Sequence, residues 1–216
     1  MLLSEAESKL NSIDKNQAPI PSRNKGGRGQ WVEKQLGLDL GSELLDFDDG
    51  EGKTFKEGEP IAVTSLLHCL DEVFDRSVSF SESKVGKKLK NVLFVKFAKE
   101  TGKFVSSLVT NSESYREEYY KLSQDYNDVC EGMIKRYDND EQHEHIIYKK
   151  GQPPFHTGNN YNFSTITGRN GYLQIRSKAN KTSKGVYNPL VYNGREVYQC
   201  AMAFYLRNQF ARELFS

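Results

Sequence analysis

The run Lys90-Asn91-Val92-Leu93-Phe94-Val95-Lys96-Phe97 places the strongest constraint on what this chain can fold into. Its apolar residues are consecutive rather than alternating, which is the pattern of a strand buried on both faces. Covering two faces takes a sizeable core. A chain of 216 residues with 37% hydrophobic and 12% aromatic content can supply one, as a single substantial domain or as two small lobes around a cleft.

Other elements follow from periodicity. Residues 2–14 have helical spacing, with Ser4 as a cap, Glu7 three residues later, and Leu10 and Ile13 on one face. Prolines at 19 and 21 and glycines at 26, 27 and 29 make 17–29 a loop. Trp31, Val32, Gln35 and Leu36 restore helical spacing, and Gly37 stops it. Ile61–Leu67 reads as a buried strand, and 111–136 as the strongest helix, with Tyr115, Tyr119, Leu122, Tyr126, Val129 and Met133 on a stripe that belongs to a core. The polar stretch 137–170 reads as a long loop, and Gly171–Arg176 as a strand with alternating faces. Residues 177–194 carry turn chemistry, and Met202–Phe215 reads as a helix.

Chemistry concentrates in Asp46-Phe47-Asp48-Asp49-Gly50-Glu51-Gly52-Lys53-Thr54. On a strand, residues i and i+2 face the same way, so Glu51 and Lys53 point together and Asp46 can return to them across a turn. Hard carboxylate oxygens suit Mg²⁺, which prefers one or two carboxylates plus water and a phosphate. A lysine beside such a water can orient it, or take its proton if its own pKa is lowered. That is equipment for cutting a phosphodiester. Asp48 is the alternative to Asp46 as ligand.

The formal net charge of +1 conceals an uneven distribution. Lysines 84, 87, 88, 90, 96, 99 and 103 face one acid, Glu100, over the same stretch, and eight basic residues between Arg169 and Ser216 face two acids. A polyanion can meet these basic surfaces while the acidic run holds a metal. Three widely spaced cysteines (69, 130 and 200) read as reduced, buried thiols, with no paired Cys/His spacing for zinc. No apolar run is long enough to span a bilayer, and the N-terminus lacks a signal-peptide pattern, so a cytoplasmic location is expected.

Three separated segments together resemble one family. The first is Lys25-Gly26-Gly27-Arg28-Gly29-Gln30-Trp31-Val32-Glu33, followed by Asp46-Phe47 and Glu51-x-Lys53. The second runs from Phe80 to Val95 and includes Lys87-Lys88-Leu89-Lys90-Asn91. The third is Tyr172-Leu173-Gln174-Ile175-Arg176-Ser177-Lys178-Ala179, with Phe204-Tyr205-Leu206-Arg207-Asn208-Gln209-Phe210 near the end. In order and spacing they resemble the MutH mismatch-repair endonucleases and their GATC-cutting type II restriction relatives, over roughly residues 25–216.

The resemblance implies an α/β, restriction-endonuclease-like core: a mixed central sheet flanked by helices, with two lobes (1–78 with the metal site, 79–216 with the DNA-contacting segments) forming a DNA-binding cleft. It implies Asp46 and Glu51 as Mg²⁺ ligands, Lys53 as the water-positioning lysine, Glu33 as a further acid from the helix, and Lys88 as an active-region lysine. Lys25, Arg176, Lys178 and Tyr205 are implied as DNA contacts, Tyr205 near a recognised adenine. The partner is double-stranded DNA, bound by a monomer or weak dimer, and nothing in the chain indicates a mismatch-repair protein partner. Gly52 stands where the family usually has a bulky apolar residue, the loop after Thr54 is shorter, and residues 138–168 have no clear counterpart. The expected activity is sequence-specific endonuclease cleavage, restriction-like or nickase-like. The alternative is a catalytically inactive DNA-recognition or regulatory module of the same fold.

Overall fold

A computed structural model of the protein describes residues 1–14, 27–38, 46–111, 113–138, 165–178, 190–198 and 201–216. Helices and both mixed and antiparallel sheets make it an α/β protein. The chain divides into two compact units, each assembled from two segments: 1–61 with 86–120, and 62–85 with 121–216. A single boundary between 78 and 79 divides the chain differently.

The first unit is built on β3 (Val92–Phe97), the middle strand of a three-stranded sheet in the order β1-β3-β4. β1 (Glu51–Lys56) runs parallel to β3, and β4 (Phe104–Thr110) runs antiparallel to it. Val92, Leu93, Phe94 and Val95 are each at most 1% exposed, as their unbroken apolar run requires. α1 (Leu3–Asn11) packs against β3 and β4, and α2 (Gly27–Leu36) packs against α1 and β1. Leu3, Leu10, Val32, Leu36 and Phe47 close over Leu93, Val95, Phe97 and Phe104 in one apolar core.

Ser4 does not cap α1. The capping position is Leu2, whose N–H donates to Glu5 Oε2 at 3.0 Å. Glu7 instead accepts from the Val109 N–H at 2.9 Å, tying the helix to β4. Gly37 ends α2 with φ of 71°, and the Leu38 N–H returns to the Glu33 carbonyl.

In the second unit a four-stranded sheet has the order β2-β9-β6-β5: β2 is Ile61–Ser65, β5 Ile166–Thr167, β6 Leu173–Ser177 and β9 Met202–Leu206. β6 pairs antiparallel with both β5 and β9. The helix expected over Met202–Phe215 is therefore corrected to a strand followed by α6 (Asn208–Leu214). Met202, Phe204 and Leu206 share one fully buried strand face, and the chain turns helical only after Arg207. β2 buries Ile61 and Val63 but leaves Ala62 exposed, so it has one covered face, and residues 66–68 form a 3-10 turn in place of further strand.

The long helix α5 (Arg116–Asp138) lies on the buried face of this sheet, where the Tyr126 ring is 5.8 Å from that of Phe204. Two shorter helices, α3 (Leu70–Phe74) and α4 (Lys84–Lys90), come between β2 and β3. A hairpin of β7 (Leu190–Tyr192) and β8 (Arg195–Tyr198) turns through Asn193 and Gly194, both at positive φ. Cys69 and Cys130 are buried free thiols, and Cys200 lies outside the described residues. Among the described residues no helix is long and apolar enough to cross a membrane.

Candidate active site

Among the described residues β1 is the edge strand of the first unit's sheet, and its alternation separates two faces. Glu51 and Lys53 project on the face shared with Val92 and Phe94, while Gly52 projects with Leu93 toward the core of α1 and α2. Glu51 is 2% exposed. Its Oε1 accepts from the Lys53 ammonium and, at 2.7 Å, from the Lys88 ammonium, which arrives from α4. Its Oε2 is sealed from solvent with no hydrogen-bond partner among the described residues.

The buried centre therefore holds two ammonium groups on one carboxylate oxygen, and it leaves the other oxygen's lone pairs uncommitted. A buried charged oxygen without a donor is costly unless a cation or another donor completes it. Burial also holds Lys53 below the usual lysine range; Glu51 pulls it back up, and Lys88 adds to the lowering.

Asp46 reaches this strand from the side. The chain reverses between Phe47 and Gly50, where Phe47 N–H donates to the Gly50 carbonyl at 2.9 Å. A Cβ on Gly50 would lie 2.5 Å from both the Asn91 carbonyl oxygen and Leu3, so only glycine fits the turn. The two acids at its tip are engaged elsewhere: Asp48 with the Met1 amino group at 2.6 Å and Asp49 with the Leu3 N–H at 2.8 Å. Asp46 Oδ2 accepts the Gly52 N–H at 2.9 Å, occupying a donor that an edge strand otherwise leaves open. Of the three aspartates, Asp46 is the one bonded to β1, at the residue that follows Glu51.

Glu33 enters from α2. Its Oε2 is buried without a partner among the described residues, and its carboxyl is raised above the usual range, first by burial and then by the negative charge of Asp46. Asp46 likewise acts on Lys53. The first unit thus gathers Glu33, Asp46, Glu51, Lys53 and Lys88, from α2, the turn, β1 and α4.

Gly52 has a specific surrounding. A Cβ built there would lie 3.1 Å from the Phe47 ring and 3.2 Å from Asp46 Oδ2. Phe47, 7% exposed, fills the core beside Leu93 that a bulky residue at 52 would fill. The glycine leaves room for both the ring and the carboxylate, and sequence reading gives no sign of that exchange.

Among the described residues no three His, Cys, Asp or Glu side chains form a metal-holding group. The pair Asp46 and Glu51 matches the one or two carboxylates that Mg²⁺ takes when water and phosphate complete its octahedron. The orphaned Glu51 Oε2 is the donor atom that fits it.

The DNA-contact candidates lie in the second unit, except Lys25, which is outside the described residues. Arg176 on β6 has its guanidinium 5.5 Å from the Tyr205 ring centre on β9, and Lys178 follows the end of β6 with its N–H on the Ala201 carbonyl. The lysines of α4 divide in use. Lys88 serves Glu51, Lys84 bonds the His68 carbonyl, and Lys87 and Lys90 are exposed. No protein-family model matches the chain, and no curated protein matches it by sequence.

Proposed function

We propose that this protein is a Mg²⁺-dependent, sequence-specific endonuclease of double-stranded DNA with a restriction-endonuclease-like core. One observation carries the reading: the buried Glu51 carboxylate, bridged through one oxygen by Lys53 and Lys88 and orphaned at the other, beside Asp46 on an edge strand. Support for the core comes from the parallel pairing of β1 with the doubly buried β3.

Asp46 and Glu51 would hold the ion, which when bound polarises a phosphate oxygen and acidifies its water. Lys88 fixes the Glu51 carboxylate plane by donating to Oε1. Lys53 sits two residues further on the same face, and its lowered pKa leaves a larger share of it as the neutral amine that can accept a proton, besides orienting a water through its N–H groups. Glu33, with its raised carboxyl, is a second proton-handling group next to Asp46. Arg176 and Lys178 supply guanidinium and ammonium contacts to the duplex from the second unit.

The same ion pairs support a second reading. Two ammonium groups already neutralise Glu51, as they would in an inactive recognition module. Plasmid cleavage separates the two. Wild type is expected to cut with Mg²⁺, on unmodified or adenine-methylated plasmid, while Glu51→Ala and Lys53→Ala do not. Tight, salt-sensitive duplex binding without cutting in Mg²⁺ or Mn²⁺ would establish the module instead. No binding at low salt would reject both.

A further inference from the structure

The sheet of the second unit has one face on α5 and a second face on which Ala203 and Gln174 are buried and Arg176 and Tyr205 half-buried. Leu173, Ile175, Met202, Phe204 and Leu206 fill the first. The second carries Gln174 and Arg176 from β6 and Ala203 and Tyr205 from β9, with Gln174 paired to Tyr205 and Arg176 to Ala203. Arg176 crosses diagonally to lie against the Tyr205 ring.

Gln174 is the anomaly on this face. It is 8% exposed, yet its amide makes no hydrogen bond to a described residue, and neither amide atom is among the fully sealed orphans. The stem is covered while the head reaches the surface unpaired. A leucine would fill that volume without leaving donors and acceptors idle, and buried amides in folded proteins are ordinarily bonded. In the free protein water meets this head, and a bound molecule with the complementary donor and acceptor can take the water's place.

The chemistry of the face defines that partner. A glutamine head offers an adjacent donor and acceptor, the complement of the adenine N6 and N7 edge, and a guanidinium complements guanine O6 and N7. Alternate residues on a strand are about 6.6 Å apart, close to two base steps at about 3.4 Å each. Gln174, Arg176 and Lys178 therefore form a row of amide, guanidinium and ammonium at a spacing that suits a nucleic-acid groove.

We propose that Gln174 is a specificity-determining residue that reads an adenine edge in the bound duplex. This rests on the endonuclease reading above, and the test keeps the two apart. Wild type, Gln174→Leu and Gln174→Glu are compared for binding to a random-sequence duplex pool at low salt without divalent ions, and for the sequences each enriches from it. Circular dichroism establishes that each variant is folded.

Gln174→Leu is expected to bind the pool within about twofold of wild type while losing roughly 5- to 150-fold discrimination at one A·T position. Gln174→Glu, an acceptor only, is expected to move that position toward cytosine, whose N4 donates. A purely structural glutamine would not change base identity. Enrichment of the wild-type sequence by both variants overturns the inference and leaves the endonuclease reading standing. Unfolding of both variants also overturns it, because the amide would then be holding the sheet. Failure of wild type to bind the pool overturns the endonuclease reading and this inference with it.

Discussion

Gly52 shows how one missing side chain sets the geometry of a site. Its N–H is the donor that fixes Asp46, and the space beyond its Cα is shared by the Asp46 carboxylate and the Phe47 ring at about 3 Å. Alanine there needs a shift of only a few tenths of an ångström. Valine cannot be seated without moving the ring, the carboxylate or both. Overpacking of this kind costs about 1–3 kcal/mol, and a misplacement near 1 Å in a reacting centre costs about 100-fold in rate. Gly52→Val is therefore expected to lower the urea midpoint and, on the endonuclease activity proposed above, to reduce Mg²⁺-dependent cleavage about 100-fold, with Gly52→Ala much nearer wild type. Wild-type cleavage by Gly52→Val would show that the Asp46 tether is dispensable. The pairing of Glu51 with Lys53 was legible in the sequence because strand alternation is local. The role of Gly52 was not, because it depends on a ring carried back by the turn at residues 47–50.

Among the elements, legibility followed the length and purity of each pattern. β3 was readable because six nearly unbroken apolar residues have few other uses, and α5 because its stripe persists over many turns. The segment 202–215 misled because Leu206, Phe210 and Leu214 keep a helical spacing of four, although Met202, Phe204 and Leu206 recur at every second residue, the period of the strand they form opposite β6. The Asn193-Gly194 hairpin carried a sequence signal for its turn that the basic residues around it obscured. The junction of α5 with β6 had no sequence signal. Asp125, fully buried on α5, accepts the N–H groups of Asn170 at 2.7 Å, Tyr172 at 2.7 Å and Leu173 at 2.8 Å. One turn on, Asp128 takes the Arg169 guanidinium and its backbone N–H. These two carboxylates fix the start of the strand that carries Gln174 and Arg176. Asp125→Ala would strand three backbone donors, two of them buried, at about 1–3 kcal/mol each. A loss of at least about 3 kcal/mol in urea unfolding is expected, with Asp125→Asn in between because one acceptor oxygen survives. A loss below about 1 kcal/mol for Asp125→Ala would mean that water replaces the carboxylate.

At the scale of the whole molecule, chain order and compactness part company. The first unit closes only when residues 86–120 return to residues 1–61, because among the described residues β3 is the sheet partner of β1. Leu93, Val95, Phe97 and Phe104 likewise supply four of the ten buried residues of the core beneath α1 and α2. A fragment ending at residue 78 holds α1, α2 and β1 but lacks every one of those contacts. An isolated edge strand with two short helices has too little apolar surface to bury to offset its conformational entropy. The single tryptophan reports on this directly: Trp31 lies edge-on to Phe97 at 5.8 Å and near Phe104 at 6.4 Å, both beyond the cut. Fragment 1–78 is therefore expected to show solvent-exposed tryptophan emission and no cooperative urea transition. Fragment 1–120, which restores β3 and β4, is expected to recover the blue-shifted emission and a single transition, with residues 62–85 contributing little. Native-like emission and cooperative unfolding in 1–78 would mean that its core closes without β3.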